Sequence, residues 1–199
     1  MSANRFKVKG QRVDSQEDFM KFEEEGYWRN LLYYPEKIQS SDRYPVMFVD
    51  KFFECISFKD TDFYKARFVR CEFRQCLFIG ASFTDCEFID CKFFETNTNK
   101  LSVSRCLLDP ASFKDNFDLI NDTNIAIGLY HALYKNASEE HQPKYAIDSL
   151  YQMENAIKAH YSSQRKRKKI TTWTYYKKKT WSRLYDFVSG YGLRPLRGV

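Results

Sequence analysis

Residue types on which catalysis usually depends are scarce in this sequence. Its 199 residues include three histidines and seven glycines, and the glycines are too scattered to form a phosphate-binding loop. The histidines, His131, His141 and His160, show no cysteine or carboxylate pattern with the spacing of a metal site. We therefore expect a non-enzymatic protein with no catalytic residue, no bound metal and no cofactor.

Long apolar runs are absent as well. No stretch of about twenty apolar residues occurs, and the N-terminal sequence MSANRFKVKGQRVDSQEDF contains no apolar segment of the kind that a signal peptide needs. As written, the chain is expected to be soluble and not secreted.

Acidic residues are nearly missing from one region only. Residues 165–199 contain eleven basic residues and one acidic residue, whereas residues 46–115 contain ten basic and eleven acidic ones. The formal net charge of +6 therefore arises at the C-terminal end. A partner for that charge, either a phosphate backbone or anionic lipid, is expected to meet this end of the chain.

Phenylalanine recurs at every fifth position from Phe48 to Phe93, ten times in succession. A helix repeats its face every 3.6 residues and a strand every two, so neither explains a period of five. A solenoid does, if each five-residue segment forms one side of a square coil. The predicted inward core includes Phe58, Phe63, Phe68, Phe73, Phe78, Phe83 and Phe88.

Quintets such as ARFVR, CEFRQ, CLFIG, ASFTD and CEFID resemble the pentapeptide repeat family. The resemblance implies a mainly β fold with added helices: a right-handed quadrilateral β-helix with four quintets per coil. The register continues less regularly, with Thr98, Val103, Leu108 and Phe113 in the central position. Fourteen quintets from Val46 to Asp115 then predict three and a half coils, a prism of roughly 17 Å at the usual strand spacing.

Five of the six cysteines occupy the small position two residues before a central residue, and only Cys55 does not. A coil of twenty residues stacks Cys71 beneath Cys91 and Cys86 beneath Cys106. Parallel side-chain vectors fit a disulfide poorly, and no pair has the spacing of a zinc site. We expect buried free thiols and a reducing, cytoplasmic environment.

These patterns divide the chain into four parts. Residues 1–45 are predicted to form an N-terminal cap, with a helix at about 15–25 and a strand in RFKVKG. Residues 46–116 are predicted to form the β-helix. A helical hairpin is predicted for residues 117–164, and residues 165–199 form a basic aromatic segment.

The predicted hairpin consists of two amphipathic helices. Ile125, Leu129 and Leu133 share one face of the first, and Pro143 begins the second after a short polar loop. The aromatic surface is formed by Tyr130, Tyr134, Tyr145 and Tyr151. Packing within the molecule and a groove for a partner are both open interpretations of these tyrosines.

The basic segment allows three interpretations. Cations with a stripe of Trp, Tyr and Leu suit an anionic membrane surface, nucleic acid, or a solvated helix packed on the hairpin. We favour the membrane surface. The predicted contact residues are Arg165, Lys166, Arg167, Lys168, Lys169, Trp173, Lys177, Lys178, Lys179 and Trp181.

The ending SGYGLRPLR resembles a segment of one bacterial pentapeptide repeat type, in which a Tyr-Gly-x-x-Pro-x-Arg sequence lies just before transmembrane helices. Tyr191, Gly192, Pro195 and Arg197 carry this resemblance. It implies a location at the inner face of a membrane. From this resemblance we also expect that the native chain continues past Val199 into an apolar transmembrane segment.

The sequence therefore predicts a binding or scaffold protein with an unknown protein partner, which is close to a membrane through its C-terminal end. Arg67, Arg70 and Arg74 are predicted to face outward as a local patch on the prism. The alternatives are a DNA-mimicking gyrase inhibitor and a nucleic-acid-binding module. The near-neutral repeat region argues against the mimic, which depends on a long acidic rod.

Overall fold

The computed structural model describes residues 7–22, 27–41 and 46–166. Within these ranges the chain forms a four-sided prism of short strands, followed by a helical hairpin. The elements, in chain order, are β1 (Gln11–Val13), α1 (Gln16–Lys21), β2 (Tyr27–Tyr33), β3 (Lys37–Gln39), β4 (Met47–Val49), β5 (Phe52–Ser57), β6 (Asp62–Tyr64), β7 (Arg67–Val69), β8 (Glu72–Arg74), β9 (Ser82–Thr84), β10 (Glu87–Ile89), β11 (Lys92–Phe94), β12 (Ser102–Ser104), β13 (Leu107–Leu108), a 3-10 helix (Pro110–Phe113), α2 (Thr123–Glu139) and α3 (Pro143–Lys166).

Three sides of the prism are parallel sheets, with strand orders β1-β2-β5-β8-β11, β4-β7-β10-β13 and β3-β6-β9-β12. The fourth side is joined by single bridges from Ser57 to Leu77 and from Leu77 to Asn97. From β4 onward, paired residues are twenty positions apart, as in Phe68 with Phe88. Four quintets thus make one coil, and the predicted quadrilateral β-helix is confirmed.

The corners of the prism explain why the period is five. The last residue of each quintet from Asp50 to Arg105 has φ between 51° and 60°, except for Gly80 at 70°. This left-handed conformation is unfavourable for most residues. It is maintained because the corner N–H groups donate to the next coil, as from Asp50 N to Val69 O at 2.9 Å. Three extended residues and one such corner turn the chain onto the next side.

The core is a set of phenylalanine stacks along the prism axis. Phe53, Phe73 and Phe93 lie one above another with ring centroids 4.8 Å apart at each step, close to the strand spacing. All three are buried. Since the second inward position holds Ala, Cys or another small residue in most quintets, the rings of neighbouring sides meet at the centre.

The solenoid begins earlier than the sequence indicated. β2 and β3 pair in parallel with β5 and β6, which places Trp28 under Phe53 and Ile38 under Phe63. Parallel pairing therefore extends through residues that were predicted to form the N-terminal cap. Trp28, Tyr33 and Ile38 keep the spacing of five. Their partners, however, are twenty-five residues away, because five extra residues lie between β3 and β4.

The N-terminal end is covered by α1. Ser15 caps this helix, and its Oγ accepts from Asp18 N at 3.0 Å. Phe19 is 1% exposed and its ring contacts the rings of Trp28, Tyr33, Phe48 and Phe58. The helix is shorter than predicted, and the strand before it lies at Gln11–Val13. Residues 7–10, the described part of RFKVKG, form no strand.

The other end is closed by the 3-10 helix and the hairpin, with two asparagine amides in the place of a further coil. Asn116 pairs with Thr96, accepting from its N–H at 2.8 Å and donating to its C=O at 3.1 Å. Asn136, on α2, does the same for Cys106, at 2.9 Å for both bonds. Backbone groups that the next coil would pair are thereby satisfied. The predicted helical hairpin is present as α2 and α3.

Candidate binding surfaces

The three arginines predicted as a patch lie in one coil but on different sides of the prism. Arg67 is in β7, Arg74 is in β8 of another sheet, and Arg70 is at the corner between them. All three face outward, as predicted. They wrap around an edge and do not converge on one point, because the chain turns a corner between them.

Each of these arginines has an acidic partner. Arg67 Nε lies 3.0 Å from Glu87 Oε2, and Arg70 donates twice to Asp50, at 2.6 and 2.7 Å. The second pair lowers the pKa of the Asp50 carboxyl through the hydrogen bonds. Arg74 pairs with Glu72. The edge is therefore close to neutral, and it is not an isolated site for an anion.

The tyrosines of the hairpin divide between packing and exposure. Tyr130 is 4% exposed, and its hydroxyl donates to Phe113 O at 3.4 Å. Burial raises its pKa. Tyr134, one turn further along the helix, is 37% exposed, while Tyr145 and Tyr151 are half-buried. Packing within the molecule therefore explains Tyr130, and Tyr134 remains available to a partner.

The histidines are not brought together. His160 Nδ1 lies 2.9 Å from Thr123 Oγ1, and its Nε2 lies 2.6 Å from Gln164 Nε2, so this ring links α2 to α3. His131 is exposed on α2 and His141 is in the loop between the two helices. Among the described residues, no group of three or more His, Cys, Asp or Glu side chains is arranged to hold a metal ion.

The cysteines are free, and five of them are buried. Cys71 Sγ lies 3.4 Å from Phe48 O and Cys76 Sγ lies 3.6 Å from Phe53 O, so these thiols point into the prism toward the coil below. Burial raises the pKa of the Cys76 thiol to about 12. A thiolate is disfavoured there, and the thiols serve as small core residues.

The predicted anionic contact residues begin at the end of α3. Arg165 and Lys166 belong to this helix, whose last residue is Lys166. Outside the described residues lie Arg167, Lys168, Lys169, Trp173, Lys177, Lys178, Lys179 and Trp181. No helix in the described ranges combines the length and the hydropathy needed to cross a bilayer.

Comparison with known proteins agrees with the geometry of the prism. Residues 56–93 match the model of pentapeptide repeats in eight copies. Pentapeptide repeat proteins are generally non-enzymatic scaffold or interaction proteins. No curated protein matches the chain. The match covers the regular quintets only, so the resemblance at the C-terminal SGYGLRPLR stays a prediction.

Two features of the prism were not predicted from the sequence. The capping amides of Asn116 and Asn136 have no periodic signal, although Asn116 lies one coil of twenty residues after its partner Thr96. The coil formed by β2 and β3 was missed because Trp28 and Ile38 replace phenylalanine. Extending the five-residue register backwards from Phe48, past Arg43 and with any large apolar residue allowed, would have indicated it through Ile38, Tyr33 and Trp28.

Proposed function

We propose that the protein is a non-enzymatic binding or scaffold protein whose C-terminal end meets an anionic membrane surface. The observation that carries the proposal is the course of α3. This helix packs against α2 at the capped end of the prism, and its 24 residues end at Lys166, within the run of five cations from Arg165 to Lys169. A helix of this length spans about 36 Å, so it connects a rigid body directly to the basic segment.

The composition of residues 165–199 supports a membrane surface as the partner. Each Lys or Arg near an anionic leaflet contributes about 1 kcal/mol, and Arg165 to Lys169 followed by Lys177 to Lys179 supplies eight cations. Trp173 and Trp181 are of the residue type that is enriched in the headgroup layer. Together they provide the two signals, electrostatic and apolar, that stable surface binding needs.

The prism itself supports a binding role. Its interior is filled by stacked rings, and its outer surface carries paired charges with no group of metal-binding side chains among the described residues. Residues 46–115 are close to neutral, which does not favour mimicry of the DNA backbone. A stiff column suits the role of a spacer and docking surface for a protein partner.

The test is co-sedimentation of the full chain with vesicles of phosphatidylcholine alone and with 30% phosphatidylserine, at low and physiological salt. We expect binding to the anionic vesicles only, weakened by salt. A chain that ends at Gln164 should not bind. Replacement of the five residues from Arg165 to Lys169 by glutamine should lower the partition coefficient at least tenfold, since each cation contributes to the attraction.

A matched control removes five cations from the prism. The variant with Lys37, Lys59, Lys92, Lys100 and Lys114 changed to glutamine should bind the vesicles as the unchanged chain does. Equal loss in both variants would show that net charge alone determines binding and would contradict the proposal. Binding of duplex DNA in preference to anionic vesicles would assign the segment to nucleic acid.

A further inference from the structure

One side of the prism carries an apolar column on its outer surface, with one ion pair beside it. It is formed by β4, β7, β10 and β13, and we call it the valine face. Its outward residues are Met47, Val49, Arg67, Val69, Glu87, Ile89 and Leu107. Met47 is 49% exposed and Leu107 is 37% exposed. The three β-branched residues are half-buried and stack in one column, twenty positions apart.

The side formed by β3, β6, β9 and β12 differs in composition. Its outward residues are Lys37, Gln39, Asp62, Tyr64, Ser82, Thr84, Ser102 and Ser104. Solvent exposure alone therefore does not account for a column of valine and isoleucine on the valine face. An apolar column bordered by polar and charged residues is typical of an interaction site.

Charges on the valine face are arranged in two rows. Basic residues occupy the coil of β7, where the basic row is Lys65, Arg67 and Arg70. Acidic residues occupy the same three positions one coil later, where the acidic row is Asp85, Glu87 and Asp90. Within one chain, the rows already meet at Arg67 and Glu87. The coils on either side carry the apolar Met47 and Leu107 at the centre of the face. At its corners they carry Asp50, which accepts from Arg70, and Arg105, which donates to Asp85.

We propose that the valine face is an interface between two copies of this chain. The two-fold axis lies in the plane of the face, between β7 and β10, and runs parallel to the strands. It brings the two valine faces together with the coils of the second copy in the reverse order to those of the first. It places Arg67 opposite Glu87 of the second copy, and Val69 opposite Ile89. Along the central column the order is Met47, Arg67, Glu87, Leu107. Reversal of this order places an apolar residue opposite an apolar one and a basic residue opposite an acidic one, so the face is self-complementary, as an isologous interface requires.

The other positions obey the same symmetry. The axis places Arg70 opposite Asp90 of the second copy and Lys65 opposite Asp85, so that each member of the basic row meets a member of the acidic row. A second copy whose coils run in the same order as those of the first would place basic row opposite basic row and acidic row opposite acidic row, which is unfavourable. The charges therefore specify an antiparallel pair of prisms and disfavour a parallel one.

The dimensions of the face set the strength of the association. Four strands at about 4.8 Å spacing and a width of about 15–20 Å, corners included, give about 300–400 Å² for each copy. The total lies below the size of stable dimer interfaces and within the range of transient ones. We therefore expect reversible dimerisation at high micromolar concentrations.

Sedimentation equilibrium of the full chain between about 10 and 500 µM tests the proposal, in a buffer of low ionic strength. The weight-average mass should rise above the 23.8 kDa of one chain. An all-acidic variant, K65E/R67E/R70E, and an all-basic variant, D85K/E87K/D90K, should each remain monomeric. An equimolar mixture of the two should associate again, because each row then meets its opposite.

Two controls separate the interface from net charge and from folding. K59E/K92E/K100E changes three cations on other parts of the prism and should dimerise as the unchanged chain does. The double substitution R67E/E87R exchanges the two charges. It preserves the ion pair within one chain and the contacts between opposite charges across the proposed interface, so this variant should dimerise. R67E alone should not. Circular dichroism at each concentration confirms that the variants are folded.

Three results would overturn the inference. A mass of one chain at the highest concentration would exclude the dimer. Self-association of the all-acidic variant equal to that of the unchanged chain would place the contact elsewhere, on the hairpin or in residues 167–199. Failure of the mixture to associate, with both components folded, would show that the two rows do not meet.

Discussion

Replacement of Phe73 by alanine is expected to lower the free energy of unfolding by about 3–5 kcal/mol. Phe73 is 1% exposed and lies in the middle of a stack, with its ring 4.8 Å from the rings of Phe53 and Phe93 and nearly parallel to both. Rings of the adjacent sides, Phe68 and Phe78, meet its edges at 5.4 and 5.8 Å. The substitution removes contacts on every side of the ring.

The upper part of this range is expected because the cavity cannot collapse. The backbone on both sides of Phe73 is fixed by the ladder, with Glu72 N bonded to Lys51 O and Lys92 N to Cys71 O, both at 3.0 Å. Neighbouring coils cannot move inward without breaking such bonds. The transfer free energy of the ring and the cost of the cavity therefore add.

Urea denaturation followed by circular dichroism measures the effect. The control is Phe94, which follows Phe93 in β11. Its side chain is half-buried on the outer surface and lies under the guanidinium of Arg74 at 5.1 Å. Alanine at position 94 should cost at most about 1 kcal/mol, since an exposed cation–π contact contributes little. Equal costs at both positions, or a cost below about 1.5 kcal/mol at Phe73, would refute the inward stacking.

Three further predictions concern the cap, the thiols and the surface charges. Asn136→Leu should lower the free energy of unfolding by about 2–5 kcal/mol in urea denaturation, because two buried backbone groups of Cys106 lose their partners. The control Asn124→Ala, at an exposed position of the same helix, should have little effect. Similar values for both variants would contradict the capping role of Asn136. Cys55, the one cysteine that is not buried, should react first with a thiol reagent in the native chain. In the Cys55→Ser variant, the remaining five thiols should react only as fast as the chain unfolds. Rapid labelling of Cys76 in the native chain would be inconsistent with its burial. Hydrogen bonds from Arg70 and Arg105 lower the pKa values of Asp50 and Asp85 in the folded chain. These pairs therefore stabilise the fold above the unfolded carboxyl pKa of about 4, and their contribution is lost as the pH falls through the folded pKa values. The variant R70Q/R105Q should flatten the decline in urea midpoint between pH 5 and 3, and an unchanged decline would show that the pairs do not contribute to stability.

The sequence was sufficient to predict the prism because its signal is periodic. Ten phenylalanines at a spacing of five determine the coil length, and with it the pairing of Phe68 with Phe88. The amphipathic patterns around Leu129 and after Pro143 likewise predicted α2 and α3. These features depend on which residues are apolar and on their spacing, both of which can be read directly.

The parts that were not predicted depend on contacts between distant residues. Asn136 acts on Cys106 only because α2 lies across the end of the last coil, thirty residues further along the chain. The arginines were predicted to face outward, which is correct. Their ion pairs with Asp50, Glu87 and Glu72 were not predicted, because pairing depends on side-chain geometry across coils and along a strand.

The most direct test of the membrane proposal is quenching of tryptophan fluorescence by brominated lipids in anionic vesicles. Trp28 is 0% exposed beneath Phe53, so any quenching must come from Trp173 and Trp181. We expect quenching of the full chain and its loss in the W173F/W181F variant, with binding still detected by co-sedimentation. Vesicle binding without quenching of the full chain, or quenching that persists in the variant, would contradict the account.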